Sequence, residues 1–123
     1  MEEGGEMNYF DHEKLDVYKV ALEVVTLMDT VVESLPRGKS HLGDQLQRAG
    51  TSIVLNIAEG SGEYSGNEKN RFYRMAKRSG TECAAVIEIC QRLGFIENEL
   101  YEEIRLLLVR IVSMLIKMTH KFK

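Results

Sequence analysis

The sequence has one proline, two cysteines and no apolar run long enough to span a membrane, and each scarcity removes a class of protein. A lone Pro36 among 123 residues excludes collagen-like repeats and proline-rich disorder. Cys83 and Cys90 stand seven positions apart in a segment that reads as one helix. That spacing puts their Cα atoms about 10 Å apart, too far for a disulfide. A reducing, cytoplasmic setting is therefore expected. The most apolar stretch, residues 106–116, is interrupted by Arg110 and flanked by Arg105 and Lys117. It falls far short of the ~20 residues of a membrane span, so no membrane partner is expected. Residues 1–6 are acidic and lack the basic and apolar regions of a secretory signal peptide.

What is present is globular: 44% hydrophobic and 28% charged residues in a chain the size of one domain. The expected division is a disordered acidic segment over residues 1–8 and one folded domain over 9–123. The formal charge of −3 and a pI near 5.6 argue against a whole-protein electrostatic grip on nucleic acid. The charge is uneven, however. Residues 37–92 hold nine bases and six acids, whereas the rest holds seven bases and thirteen acids.

Periodicity predicts four helices. Leu15, Tyr18, Leu22, Val25, Val32 and Leu35 step by three and four or by their sum, which predicts a first helix over about 12–35 that ends before Pro36. Ser40 is the expected cap of a second helix carrying Leu42, Leu46, Ala49, Ile53, Asn56 and Gly60, stopped by Gly60 and Gly62. Ser65 and Glu68 have the spacing of a capping box. The third helix then carries Phe72, Ala76, Ser79, Cys83, Val86, Cys90 and Leu93 in strict alternating steps of four and three, up to Gly94. The fourth opens with Glu97, Glu99, Glu102 and Glu103 and closes with Lys117, His120, Lys121 and Lys123, the charge order that a helix dipole favours. No segment alternates with a period of two, so the expected fold is all-α, an antiparallel up-down-up-down four-helix bundle.

Two helices carry more apolar surface than a bundle requires. The first adds Val17, Val20, Val24 and Val31; the fourth adds Leu108, Val112 and Ile116 beside the stripe of Leu100, Ile104, Leu107, Ile111, Leu115 and Met118. This surplus predicts a homo-oligomer, the alternative being a thick monomeric core that absorbs it.

Little in the sequence points to catalysis. No Glu-x-x-His pair or Cys/His zinc spacing occurs, so no metal and no cofactor are expected. No phosphate-binding glycine loop is present, and no small-molecule substrate is evident. Arg48, Ser52, Asn56, Glu59 and Glu82 lie near the seam of helices two and three and are read as a structural polar network. Glu59 and Glu82 also give the runner-up reading, a metal-dependent hydrolase or nuclease. Lys69, Arg71, Arg74, Lys77 and Arg78 gather the basic excess, and Arg71, Arg74 and Arg78 share one face of helix three. They are the candidate nucleic-acid-binding residues, weighed against a solvated face of ion pairs.

Gln45-Leu46-Gln47-Arg48-Ala49-Gly50-Thr51-Ser52-Ile53, followed by Asn56-Ile57-Ala58-Glu59-Gly60-Ser61-Gly62, resembles the signature of the four helix bundle proteins found in intervening sequences of bacterial large-subunit ribosomal RNA genes. The downstream Arg71-Phe72, Ala76, Ser79 and Glu82 and the upstream Phe10, Lys14-Leu15-Asp16-Val17-Tyr18 and Ala21 resemble the remainder, so the resemblance covers nearly the whole chain after Asn8. Three positions depart from that pattern: Val54 where proline is usual, Arg78 where glycine is usual and Glu63 where a base is usual. The first implies a straighter second helix, and the second implies charge or bulk at a close helix contact.

The resemblance implies a left-handed antiparallel bundle assembled into a ring, a pentamer by preference, without enzymatic activity. The chain is also distantly similar to the accessory variability proteins of diversity-generating retroelements, basic pentamers that bind nucleic acid and a reverse transcriptase. The expected function is a non-enzymatic, homo-oligomeric structural or adaptor module that binds RNA or a nucleic-acid-handling protein through helix three. An accessory subunit of a retroelement reverse transcriptase is the alternative.

Overall fold

In the computed structural model, which describes the backbone of residues 8–121 and the side chains of 8–120, a short 3-10 turn leads into four α-helices. The turn is Asp11–Lys14, followed by α1 (Asp16–Ser34), α2 (Ser40–Ser61), α3 (Gly66–Arg92) and α4 (Asn98–Lys121). Residues 1–7 of the expected acidic segment and Lys123 of the expected basic helix end lie outside the described residues. No strand occurs among the described residues.

The helix ends follow local chemistry, with corrections. Leu35, held extended before Pro36 at φ −71° and ψ 139°, closes α1 as the proline predicts. The expected start at residue 12 gives way to the 3-10 turn, where the Phe10 amide donates to Glu13 Oε1 at 3.0 Å. Ser40 is not a cap but the first residue of α2, and Lys39 precedes it without a side-chain cap bond. Ser65 does cap α3, its Oγ accepting the Glu68 amide at 3.1 Å. The reciprocal half of the capping box is missing because the Glu68 carboxylate turns to Arg71, 3.0 Å away. After α3 the chain reverses at Gly94, φ +79°, with the Phe95 amide donating to Cys90 O at 2.9 Å and the Gly94 amide to Gln91 O at 3.1 Å. Those two bonds satisfy carbonyls that the helix end leaves open.

Each helix packs on two others: α1 and α3 both contact α2 and α4, and the α2–α3 contact is the most extensive. The expected α2 stripe is buried in full, from Leu42 through Leu46, Ala49, Ile53 and Asn56 to Gly60. In α3 the buried seam is shifted. Ala76, Cys83, Val86 and Cys90 are inside as expected, but Tyr73, Gly80 and Ile87 join them, while Leu93 is 51% exposed. A helix wedged between two neighbours buries two adjacent stripes, not one.

α1 reverses the expectation. Val17, Val20, Val24 and Val31, taken as surplus, are the core line at 5% exposure or less, and Leu22 of the expected stripe is exposed. Both ladders step by three and four, so periodicity fits either; the positions of α2 and α4 select one. In α4 the core takes Ile104, Leu108, Ile111 and Leu115, and a surplus does remain outside: Leu106, Val109 and Ile116 are 62%, 48% and 38% exposed.

Gly60 corrects a further expectation. It does not stop α2 but lies inside it, and Gly62 closes the helix at φ −89°, a conformation open to any residue. Gly60 is required by proximity: a Cβ there would stand 2.7 Å from Tyr73 Cε1 and 3.0 Å from Phe72 Cβ. Replacing Gly60 with alanine is therefore expected to destabilise the protein by about 1–3 kcal/mol through overpacking, more than the ~1 kcal/mol that alanine gains in helix propensity. Gly62, whose nearest prospective neighbour is 3.8 Å away, is the control. There Gly62→Ala is expected to be neutral or stabilising by about 0.4–1 kcal/mol. Urea unfolding of the two variants checks the opposite signs.

Candidate nucleic-acid interface

Of the five bases on α3 that the sequence singles out, the structure commits two to local duties. Lys69 Nζ donates to Ser61 O at 3.0 Å and Gly60 O at 3.3 Å, so it covers the last carbonyls of α2. A cation there also suits the negative end of the helix dipole. Arg71 donates from Nη2 and Nε to Glu68 Oε1 at 3.0 and 3.2 Å, and its guanidinium lies 4.4 Å from the centroid of the Phe72 ring. The hydrogen bond to Glu68, and then that carboxylate's charge, hold the Arg71 pKa above its ordinary value. Arg74, Lys77 and Arg78 remain exposed, with no ion pair to any other described residue. With Thr81 and Glu82 they border an open depression of about 500 Å³. Arg78 stands at this rim, not at the close helix contact expected of a residue in a glycine's place.

The expected polar network forms in part, with a different membership. Asn56 Nδ2 donates to Ser52 O at 2.9 Å and Ser52 Oγ at 3.0 Å, and Ser79 Oγ donates to Ser52 Oγ at 2.8 Å, tying α2 to α3. Ser52 and Asn56 take the role the sequence predicts for them, and Ser79, expected only as a seam residue, joins them. Arg48, Glu59 and Glu82 are corrections: all three are exposed and make no hydrogen bond to this cluster. Burying a charge beside two hydroxyls would incur a large desolvation penalty, so short neutral groups pair inside while long ionised ones reach water. Asn70, 3% exposed, escaped the reading, though its place three residues before buried Tyr73 continues that stripe.

Above the cluster lies a cavity of about 300 Å³, lined by Ser52, Asn56, Met75, Arg78, Ser79 and Glu82. Glu82 lines this cavity and Glu59 does not, so the cavity does not bring together the two carboxylates of the hydrolase reading. Among the described residues no group of three or more His, Cys, Asp or Glu side chains is placed to hold a metal ion. None of the described helices is long and apolar enough to cross a membrane.

Cys83 and Cys90 are both free and buried. Burial, and secondarily the charge of Glu82, push the Cys83 thiol from 9.0 up to about 12, and burial raises Cys90. Three pKa units cut the thiolate fraction of Cys83 roughly a thousandfold at neutral pH. Iodoacetamide is expected to label neither cysteine in the native protein and both in urea, read by intact mass. The linkage to stability has a definite sign. The unfolded thiol ionises near pH 9 whereas the native one stays neutral to about 12, so this contribution is complete below pH 9 and is lost between pH 9 and 12. The denaturation midpoint should fall over that window, and less steeply in Cys83→Ala.

No curated protein matches the sequence. A crystal structure of a protein with unknown function from the S23 ribosomal protein family of Bacteroides thetaiotaomicron is similar in fold, with a TM-score of 0.77 at 25% identity over 84% of this chain and 97% of that one. The family model described as 23S rRNA-intervening sequence protein matches residues 13–117. That match takes in the whole of α1, α2 and α3 and nearly all of α4, and the chain belongs to the 23S rRNA-intervening sequence protein family.

Proposed function

We propose that the protein is a non-catalytic, self-assembling helical module of the cytoplasm that presents basic α3 faces to RNA. The observation that carries this reading is the division of the surface: an uncovered apolar ridge on α4 and three exposed bases on α3. Leu106, Val109 and Ile116 are what a copy-to-copy contact would cover. α1 exposes Leu22 at 44%, less than this three-residue ridge, so between these two helices the assembly is assigned to α4. The subunit is taken to run up-down-up-down. Connections of four or five residues reach at most about 18 Å, against helices about 28–40 Å long, which favours antiparallel neighbours. A closed ring, with a pentamer preferred, would repeat the basic face around an axis and multiply its attraction for phosphates.

Arg74, Lys77 and Arg78 support RNA as the partner because they lie within five residues of one another on one helix and border one depression. In a chain of net charge −3 such a local excess can attract phosphates without a global field.

Light scattering is expected to return a multiple of 14.0 kDa for the wild type and the monomer mass for Leu106→Glu/Val109→Glu with helicity intact. A wild-type monomer rejects the assembly. For the basic face, Arg74→Glu/Lys77→Glu should weaken binding of single-stranded RNA and flatten its log–log salt dependence by about 0.7 per lost phosphate contact. An unchanged slope rejects RNA contact through these residues.

A further inference from the structure

We propose that the two depressions on α3 form one subsite for a guanine nucleotide of single-stranded RNA, with the base in the α2–α3 cavity and the adjoining phosphate on Arg74 and Lys77. The inference rests on the RNA reading above and names what that face selects. The two depressions share Arg78 and Glu82, so they adjoin at those side chains, yet their chemistry differs. One is walled by hydroxyls, an amide and a thioether; the other by three bases.

The inner cavity is rich in acceptors. Asn56 is more than nine-tenths buried, at 8% exposure, and its amide nitrogen donates to the Ser52 carbonyl and hydroxyl. What Asn56 has left to offer the cavity is its carbonyl oxygen. The Ser79 hydroxyl hydrogen is directed to Ser52 Oγ, so Ser79 also presents lone pairs. Glu82 adds a carboxylate with two acceptor oxygens at the rim. An occupant that pairs with these acceptors brings N–H donors, and Arg78 and the bases next door favour one that also carries acceptors and an anion.

A nucleotide combines both, and the bases differ in how they meet a carboxylate. Guanine alone carries two adjacent donors, N1–H and the N2 amine, on its Watson–Crick edge, matching the two oxygens of Glu82. Adenine and cytosine set a ring-nitrogen acceptor beside their amine, and uracil has one donor between two carbonyls. Guanine O6 and N7 would accept from Arg78, the commonest side-chain pairing for that base. Met75, 38% exposed, supplies a soft apolar wall for the ring. A base can present this edge only when unpaired, which is why single-stranded RNA is the fitting class.

The test is fluorescence anisotropy of the full chain with short labelled RNAs, an adenosine tract and the same tract with one central guanosine or inosine, which lacks the N2 amine. The guanosine RNA is expected to bind about tenfold tighter than the tract, with inosine between them. Glu82→Gln, at an exposed position, should fold normally by circular dichroism and reduce the ratio of guanosine to tract affinity to about twofold or less. Arg74→Glu/Lys77→Glu should weaken all three RNAs together. Equal wild-type binding of the guanosine RNA and the tract, with the double variant still defective, overturns the guanine subsite and leaves the RNA reading standing. A preference that survives Glu82→Gln also overturns the subsite. No binding of any RNA at low salt overturns both.

Discussion

The fold turns on how closely α2 can approach α3. At Gly60 the approach leaves no room for a Cβ against Tyr73, and farther back along α2 the Ser52 and Ser79 hydroxyls meet at 2.8 Å. Larger residues at these places would separate the helices and break the hydroxyl pair that links them. Because the contact is made of small groups, it leaves a shallow space on its outer side instead of a filled ridge. The cavity under Met75, Arg78 and Glu82 is a consequence of that packing.

Charge is sorted by side-chain length. The short polar groups Ser52, Asn56 and Ser79 stay at the seam because they satisfy one another there. Arg48, Glu59 and Glu82 have the reach to keep their charges in water, and the low dielectric of a helix interface gives them every reason to do so. The same sorting thins the basic cluster. Lys69 bends back over the end of α2 and Arg71 pairs along its own helix, so the surface that faces a partner is narrower than the run of bases suggests.

Apolar surface divides unequally between the outer helices. The valines of α1 sit between α2 and α4 and fill the core, whereas α4 contributes four large residues inward and still shows three outward. Of the two helices with an expected surplus, the proposal of a homo-oligomer therefore rests on α4. The extra valines of α1 need no second copy, because a helix touching two neighbours can absorb a wide apolar sector.

The sequence by itself determined the four helices, the breaks at Pro36 and Gly94, the Ser65 cap and the buried line of α2 from Leu42 to Gly60, though not Gly43, Gly50 and Ile57, which are buried beside it. Each of those rests on local chemistry or on a regular stripe, and neither depends on where the rest of the chain lies. Only the tertiary structure decided which of two equally periodic ladders on α1 faces inward, that Gly60 serves contact and not termination, and which members of the polar set pair. Those outcomes depend on distances between helices, and spacing along one helix carries no information about the neighbour it will meet.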